Sequence, residues 1–106
     1  MRYLDYTAIT TGGTAYDIRF PLHPGTGSQE AVSEMVSAIL GALSATLGTK
    51  DAVSDGDVLQ ALAMAVAIRA RIADAKPAAS LRLTHELIND AFAAALDATR
   101  YPAARS

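Results

Sequence analysis

Residues 3–22 read YLDYTAITTGGTAYDIRFPL, and this stretch decides the fold. Apolar and polar residues alternate along it with period two, the pattern of a strand with one covered face. The alternation breaks once, at Thr11-Gly12-Gly13-Thr14. A Gly-Gly pair supplies the positive φ angles that a two-residue turn requires, so the spacing predicts an antiparallel hairpin over about 3–22 with Thr11 opposite Thr14. Counting outward sets Ile9 opposite Tyr16, Thr7 opposite Ile18, Asp5 opposite Phe20 and Tyr3 opposite Leu22. That register gathers the large apolar residues, Tyr3 and Tyr16 among them, on one core-facing side and leaves Tyr6, Ala8, Asp17 and Arg19 on the other.

Beyond the hairpin the period changes to that of a helix. Ser28 can cap a helix whose apolar residues, from Val32 and Met35 to Leu43 and Leu47, recur at spacings of three and four. The prediction is a first helix over about 28–47 closed by Gly48 in a left-handed C-cap. Ser54 and Asp57 have capping-box spacing and open a second helix over about 57–75, stopped by Lys76-Pro77. Between Val58 and Ile68 only Gln60 is polar, so this helix reads as the central one, surrounded by protein. Thr84 can cap a third helix over about 84–100, with Leu81-Arg82-Leu83 either its first turn or a short strand. A flexible tail is expected over 102–106. The expected class is α+β: an N-terminal antiparallel hairpin followed by three helices packed on one face (ββααα), completed by oligomerisation.

The chain has 106 residues, 51% of them hydrophobic and 19% charged, with net charge -2 and no cysteine. The length suits a single domain over 1–106. Without cysteine there is no disulfide, thiol nucleophile or thiolate metal site, and a reducing, cytoplasmic setting fits. The N-terminal residues Met1-Arg2-Tyr3-Leu4-Asp5-Tyr6 carry charges where an export signal needs an apolar run. The longest wholly apolar run, Ala61 to Ile68, is far short of the ~20 residues that span a bilayer. We therefore expect a soluble protein with no membrane contact. A balance this near neutrality also speaks against nucleic acid as a partner.

Charge is nevertheless uneven. Residues 27–60 carry five acids against Lys50, whereas residues 61–85 carry Arg69, Arg71, Lys76 and Arg82 against Asp74. Such blocks usually lie on solvated helix faces and ends; the alternative is a charge-complementary contact between subunits.

Few residues are arranged for chemistry. His85-Glu86 followed by Asn89 lacks the second histidine of a zinc-binding helix. Asp51, Asp55 and Asp57 fail as a calcium loop, because a loop starting at Asp51 places Val53 and Leu62 at ligand positions. No metal and no cofactor are expected. The strongest ligand candidate is the loop holding His23, Gly25, Thr26, Gly27 and Ser28, where a strand-to-helix connection can aim backbone amides at an anion. It lacks both the P-loop ending and the dinucleotide glycine spacing.

A lone hairpin has two bare edges, and three helices with one ribbon hardly cover a central helix on all sides. The expectation is a small, non-catalytic interaction or assembly protein acting as a homo-oligomer, a dimer foremost. The alternative is an anion- or phosphate-binding protein or small enzyme built on the Gly25–Ser28 loop, with His23 or His85 as its titrating group and its small-molecule ligand unknown.

Overall fold

A computed structural model describes residues 1–103. The order of elements is β1 (Tyr3–Ile9), β2 (Thr14–Pro21), α1 (Gln29–Leu47), α2 (Asp55–Ile72), α3 (Pro77–Leu96) and β3 (Thr99–Pro102). The class is α+β with a hairpin and three helices, and the hairpin is extended to a three-stranded antiparallel sheet of order β1-β2-β3. Contacts gather the chain into two compact units, Met1–Ser33 with Glu86–Ser106, and Glu34–His85.

The hairpin stands where the alternation placed it, but its register is shifted by one residue. Leu4 pairs with Phe20, Tyr6 with Ile18, Thr7 with Asp17 and Ile9 with Ala15. The cause is the turn. Only Gly13 has a positive φ, +86°, whereas a two-residue turn of the predicted kind needs both central residues there. The Gly13 N–H donates to Thr10 O at 3.0 Å and the Thr10 N–H donates to Thr14 O at 2.9 Å, so three residues form the loop. Gly13 takes the left-handed position that such a loop demands.

The shift exchanges the faces of β1. Leu4, Tyr6 and Ala8 join Tyr16, Ile18 and Phe20 on the apolar face, where Leu4 is buried and the other five are half-buried. Tyr3, Asp5 and Thr7 lie on the opposite face with Asp17 and Arg19. Tyr3 is thus no core residue; its ring lies under the Arg19 guanidinium, 4.5 Å from centroid to Cζ, a cation–π contact.

Helix termini follow local chemistry. Ser28 Oγ accepts from the Ala31 N–H at 3.1 Å and caps α1. Ser54 and Asp57 form the reciprocal capping box of α2, each side chain accepting from the other's backbone N–H at 3.1 Å. At the end of α1, Gly48 is not left-handed; its N–H continues the helical pattern by donating to Ser44 O, and Ala52 takes a positive φ of 57° instead. Helix α2 stops at Ile72, because Ala73 turns to an extended ψ of 143° and four non-helical residues are needed to reach the next start.

That next start is earlier than predicted. Pro77 ended one helix in the sequence reading but opens another here, in the first-turn position where its missing N–H costs nothing. Thr84 is not a cap: it lies two turns inside α3 and its hydroxyl donates to Ser80 O at 2.8 Å. Leu81-Arg82-Leu83 is helical. The expected helix over 84–100 also ends early, at Leu96, and residues 99–102 form β3 against β2, with Asp17 opposite Thr99 and Thr14 opposite Pro102. Proline is tolerated there because β3 is an edge strand. The Ala103 N–H adds a 2.7 Å bond to Gly13 O, so the expected flexible tail is tied through residue 103; its last three positions, 104–106, lie outside the described residues.

Burial is sparse. Among the described residues the buried apolar side chains are Leu4 and Ala15, with Ser80 the buried polar one. Helix α2 has no buried residue, so the expected central, fully wrapped helix is not what the single chain forms.

Candidate functional site

The loop between β2 and α1 is built by its own hydrogen bonds. The Thr26 N–H donates to His23 O at 2.9 Å and closes a turn. The Gly25 N–H donates to His23 Nδ1 at 3.0 Å, which leaves that ring nitrogen an acceptor. A side chain at Gly25 has little room, since a Cβ there meets His23 Nδ1 at 3.1 Å.

A residue that the sequence reading did not single out organises the carbonyl side of this loop. Arg2 Nη2 donates to Thr26 O at 2.8 Å and reaches His23 O and Pro24 O at 3.5 Å. Arg2 is held in turn by the hairpin, as the Leu22 N–H donates to Arg2 O at 2.9 Å. Gln29 Nε2 donates to Tyr3 O at 3.1 Å and fixes the start of α1 to β1. His23, Gly25, Thr26, Gly27 and Ser28 therefore do form one continuous turn, with the Gly25 and Thr26 amides engaged inside it, Ser28 occupied as a cap, and a guanidinium on its carbonyls. An anion site needs amides that converge outward; two of those available are spent within the turn.

A second polar cluster lies on the sheet. Asp17, in the middle strand, accepts at Oδ1 from Thr7 Oγ1 of β1 at 2.6 Å and from Tyr101 Oη of β3 at 2.9 Å. One carboxylate oxygen thereby ties all three strands. The hydrogen bond to Asp17 raises the Tyr101 pKa above its ordinary value, with desolvation and the Asp17 charge acting in the same direction. The phenol is held protonated, as a donor, so it is poorly suited to act as a base at neutral pH. An open depression of about 430 Å³ lies beside this cluster, lined by Asp5, Tyr6, Thr7, Asp17, Arg19 and Thr99 among others.

Neither histidine joins that cluster. His23 is in the β2–α1 loop and His85 is exposed within α3, more than two turns from its start. The sequence signal for the Asp17 cluster was present as Thr7, Asp17 and Tyr101, but it becomes readable only with the correct register and with β3 recognised as a strand.

The largest unexplained feature is apolar. Ile39 on α1, Ile68 on α2 and Phe92 on α3 are 51%, 60% and 63% exposed, and they belong to stripes that continue along each helix. By length and composition α1, with mean hydropathy 1.3, is also long and apolar enough to cross a membrane. Compared with known protein families, with curated proteins and with solved structures, the chain gives no match in any of the three.

Proposed function

We propose that this chain is a non-catalytic assembly module that works as a homo-oligomer, with a dimer as its smallest unit. The observation that carries the reading is the exposure of apolar stripes on all three helices, with Leu4 and Ala15 as the buried apolar residues described. Helices in proteins, these of 18–20 residues included, draw most of their stability from packing an apolar face. Here α1 and α2 have no buried residue and α3 has only Ser80. Each Leu, Ile or Phe fully covered by a partner contributes about 1.5–3 kcal/mol, so a few such side chains from each copy suffice to drive association.

A protein partner covers these stripes better than a bilayer does. A membrane accounts for α1 alone, and that helix carries Glu30 and Glu34. The stripes of α2 and α3 are flanked by Arg69, Arg71, Arg82 and Asp90, which suit a wet rim around an apolar contact. The Arg2-bound loop and the Asp17 cluster serve this module as supports: one fixes the entry to α1, the other joins β3 to the hairpin.

Multi-angle light scattering at tens of micromolar protein tests the proposal. The expected mass is at least twice the 11.0 kDa of one chain. A single-chain mass, together with strong binding of an apolar dye, overturns it.

A further inference from the structure

We infer that two copies pair through α2, antiparallel about a two-fold axis near Met64, with Asp57 of each copy meeting the partner subunit's Arg71. This deepens the assembly reading and rests on it. Asp57, Ala61, Met64, Ile68 and Arg71 follow one another at intervals of four, three, four and three, so they form one line along the helix. All five are exposed, with Met64 at 56%. The half-buried residues Val58, Leu62 and Ala70 lie off this line, and exposed residues, Leu59 at 67% among them, also occur on the other sides of α2, so it is the charges of the line rather than its exposure that single it out.

The charges of that line fit a second copy of this chain as its occupant. Its two charges have opposite sign and stand seven residues either side of Met64, about 10 Å along the axis in each direction. A parallel copy sets Asp57 against Asp57 and Arg71 against Arg71, which is repulsive at both ends. An antiparallel copy turned about Met64 sets opposite charges together at both ends at once. It also sets Ala61 against the partner subunit's Ala67, two small residues that allow close approach of the backbones. The Asp57 carboxylate keeps one oxygen free for this, because only Oδ2 serves the capping bond to the Ser54 N–H. A single seam of this length is small beside the ~800 Å² per partner of a typical stable interface. It sets the direction and register of pairing, and the stripes of the other helices add area.

The chain has no cysteine, so single introduced thiols report proximity cleanly. Light scattering is first run on each variant, then a short bismaleimide is applied. Met64→Cys is expected to cross-link to a covalent dimer at least about fivefold more than Val66→Cys, whose side chain points roughly 160° away around the helix. Mixed Asp57→Cys and Arg71→Cys chains are expected to cross-link to each other, while either alone does not, because the like positions stand about 21 Å apart. A dimer by light scattering in which Met64→Cys fails to cross-link, or in which Asp57→Cys cross-links with itself, overturns the α2 pairing and leaves the assembly reading standing. Single-chain masses throughout overturn both.

Discussion

The turn at Gly12-Gly13 gives the sharpest test of the sheet register. Consider alanine at each glycine in turn. At Gly13 the φ of +86° is unfavourable for any residue with a Cβ, and the position is otherwise open, with no atom within 4 Å of an added Cβ. The cost is therefore purely one of backbone conformation, about 1–2 kcal/mol. Against it stands the loss of freedom that alanine imposes on the unfolded chain, which favours the folded state by about 0.4–1 kcal/mol. Gly13→Ala is then expected to destabilise by roughly 0.5–1 kcal/mol. Gly12 has no positive φ, and a Cβ there meets Thr10 Oγ1 at an ordinary 3.7 Å. Gly12→Ala has the unfolded-state benefit without the strain, so it is expected to stabilise by about 0.4–1 kcal/mol. The unfolded-state contribution cancels between the two variants, and their difference, about 1–2 kcal/mol, isolates the left-handed residue. Urea unfolding followed by circular dichroism at one fixed protein concentration measures it. A two-residue turn strains both positions, so equal losses for the two variants would refute the three-residue loop and the register built on it.

Two further outcomes follow from the polar clusters. Ultraviolet titration of the tyrosines is expected to show one phenol ionising above the ordinary value near 10, lost in Tyr101→Phe and moved back down in Asp17→Asn. Since the folded value is the higher one, the contribution of this bond to stability is complete below about pH 10 and disappears as pH rises through the folded value. A thermal-shift series with inorganic phosphate and nucleotides is expected to be flat, because the Gly25 and Thr26 amides are engaged within the loop. A rise in melting temperature that Gly27→Pro abolishes would show instead that the loop binds anions.

Local signals in the sequence were legible where one residue decides one bond. The Ser54/Asp57 capping box and the Ser28 cap needed nothing beyond their own spacing. Thr84 misled for the same reason: it has the chemistry of a cap, but Pro77 had already opened the helix, and a threonine inside a helix satisfies its hydroxyl on the carbonyl four residues back. The register was less accessible, since a single residue added to the loop inverts every side chain of β1, and both registers leave an apolar face. Strand β3 was hidden by its length. Four residues hardly establish a period, and Ala95, Leu96 and Thr99 continue the helical spacing of α3. The candidate loop was visible as a segment, but its organiser was not. Arg2 reaches Thr26 across 24 residues only because the hairpin ends lie side by side.

The charges of α2 admit an explanation that needs no partner, and it makes a different prediction from pairing. Asp55 and Asp57 in the first turn and Arg69 and Arg71 in the last turn each complement the helix dipole, an intrachain effect of about 0.3–1 kcal/mol per charge at an exposed site. On that account Arg71→Glu lowers stability by an amount independent of protein concentration, and Arg69→Glu does the same. Pairing across Met64 adds a second effect at Arg71 alone, because Arg69, although exposed as well, lies about 120° around the helix from the line through Met64. Arg71→Glu then sets two carboxylates together at each end of the seam and raises the dimer dissociation constant about tenfold beyond Arg69→Glu, most strongly at low salt. Sedimentation equilibrium over a hundredfold range of concentration, about two decades, separates the two accounts. Identical dissociation constants for the two variants assign both arginines to the dipole and leave the acidic and basic ends of α2 without a role between copies.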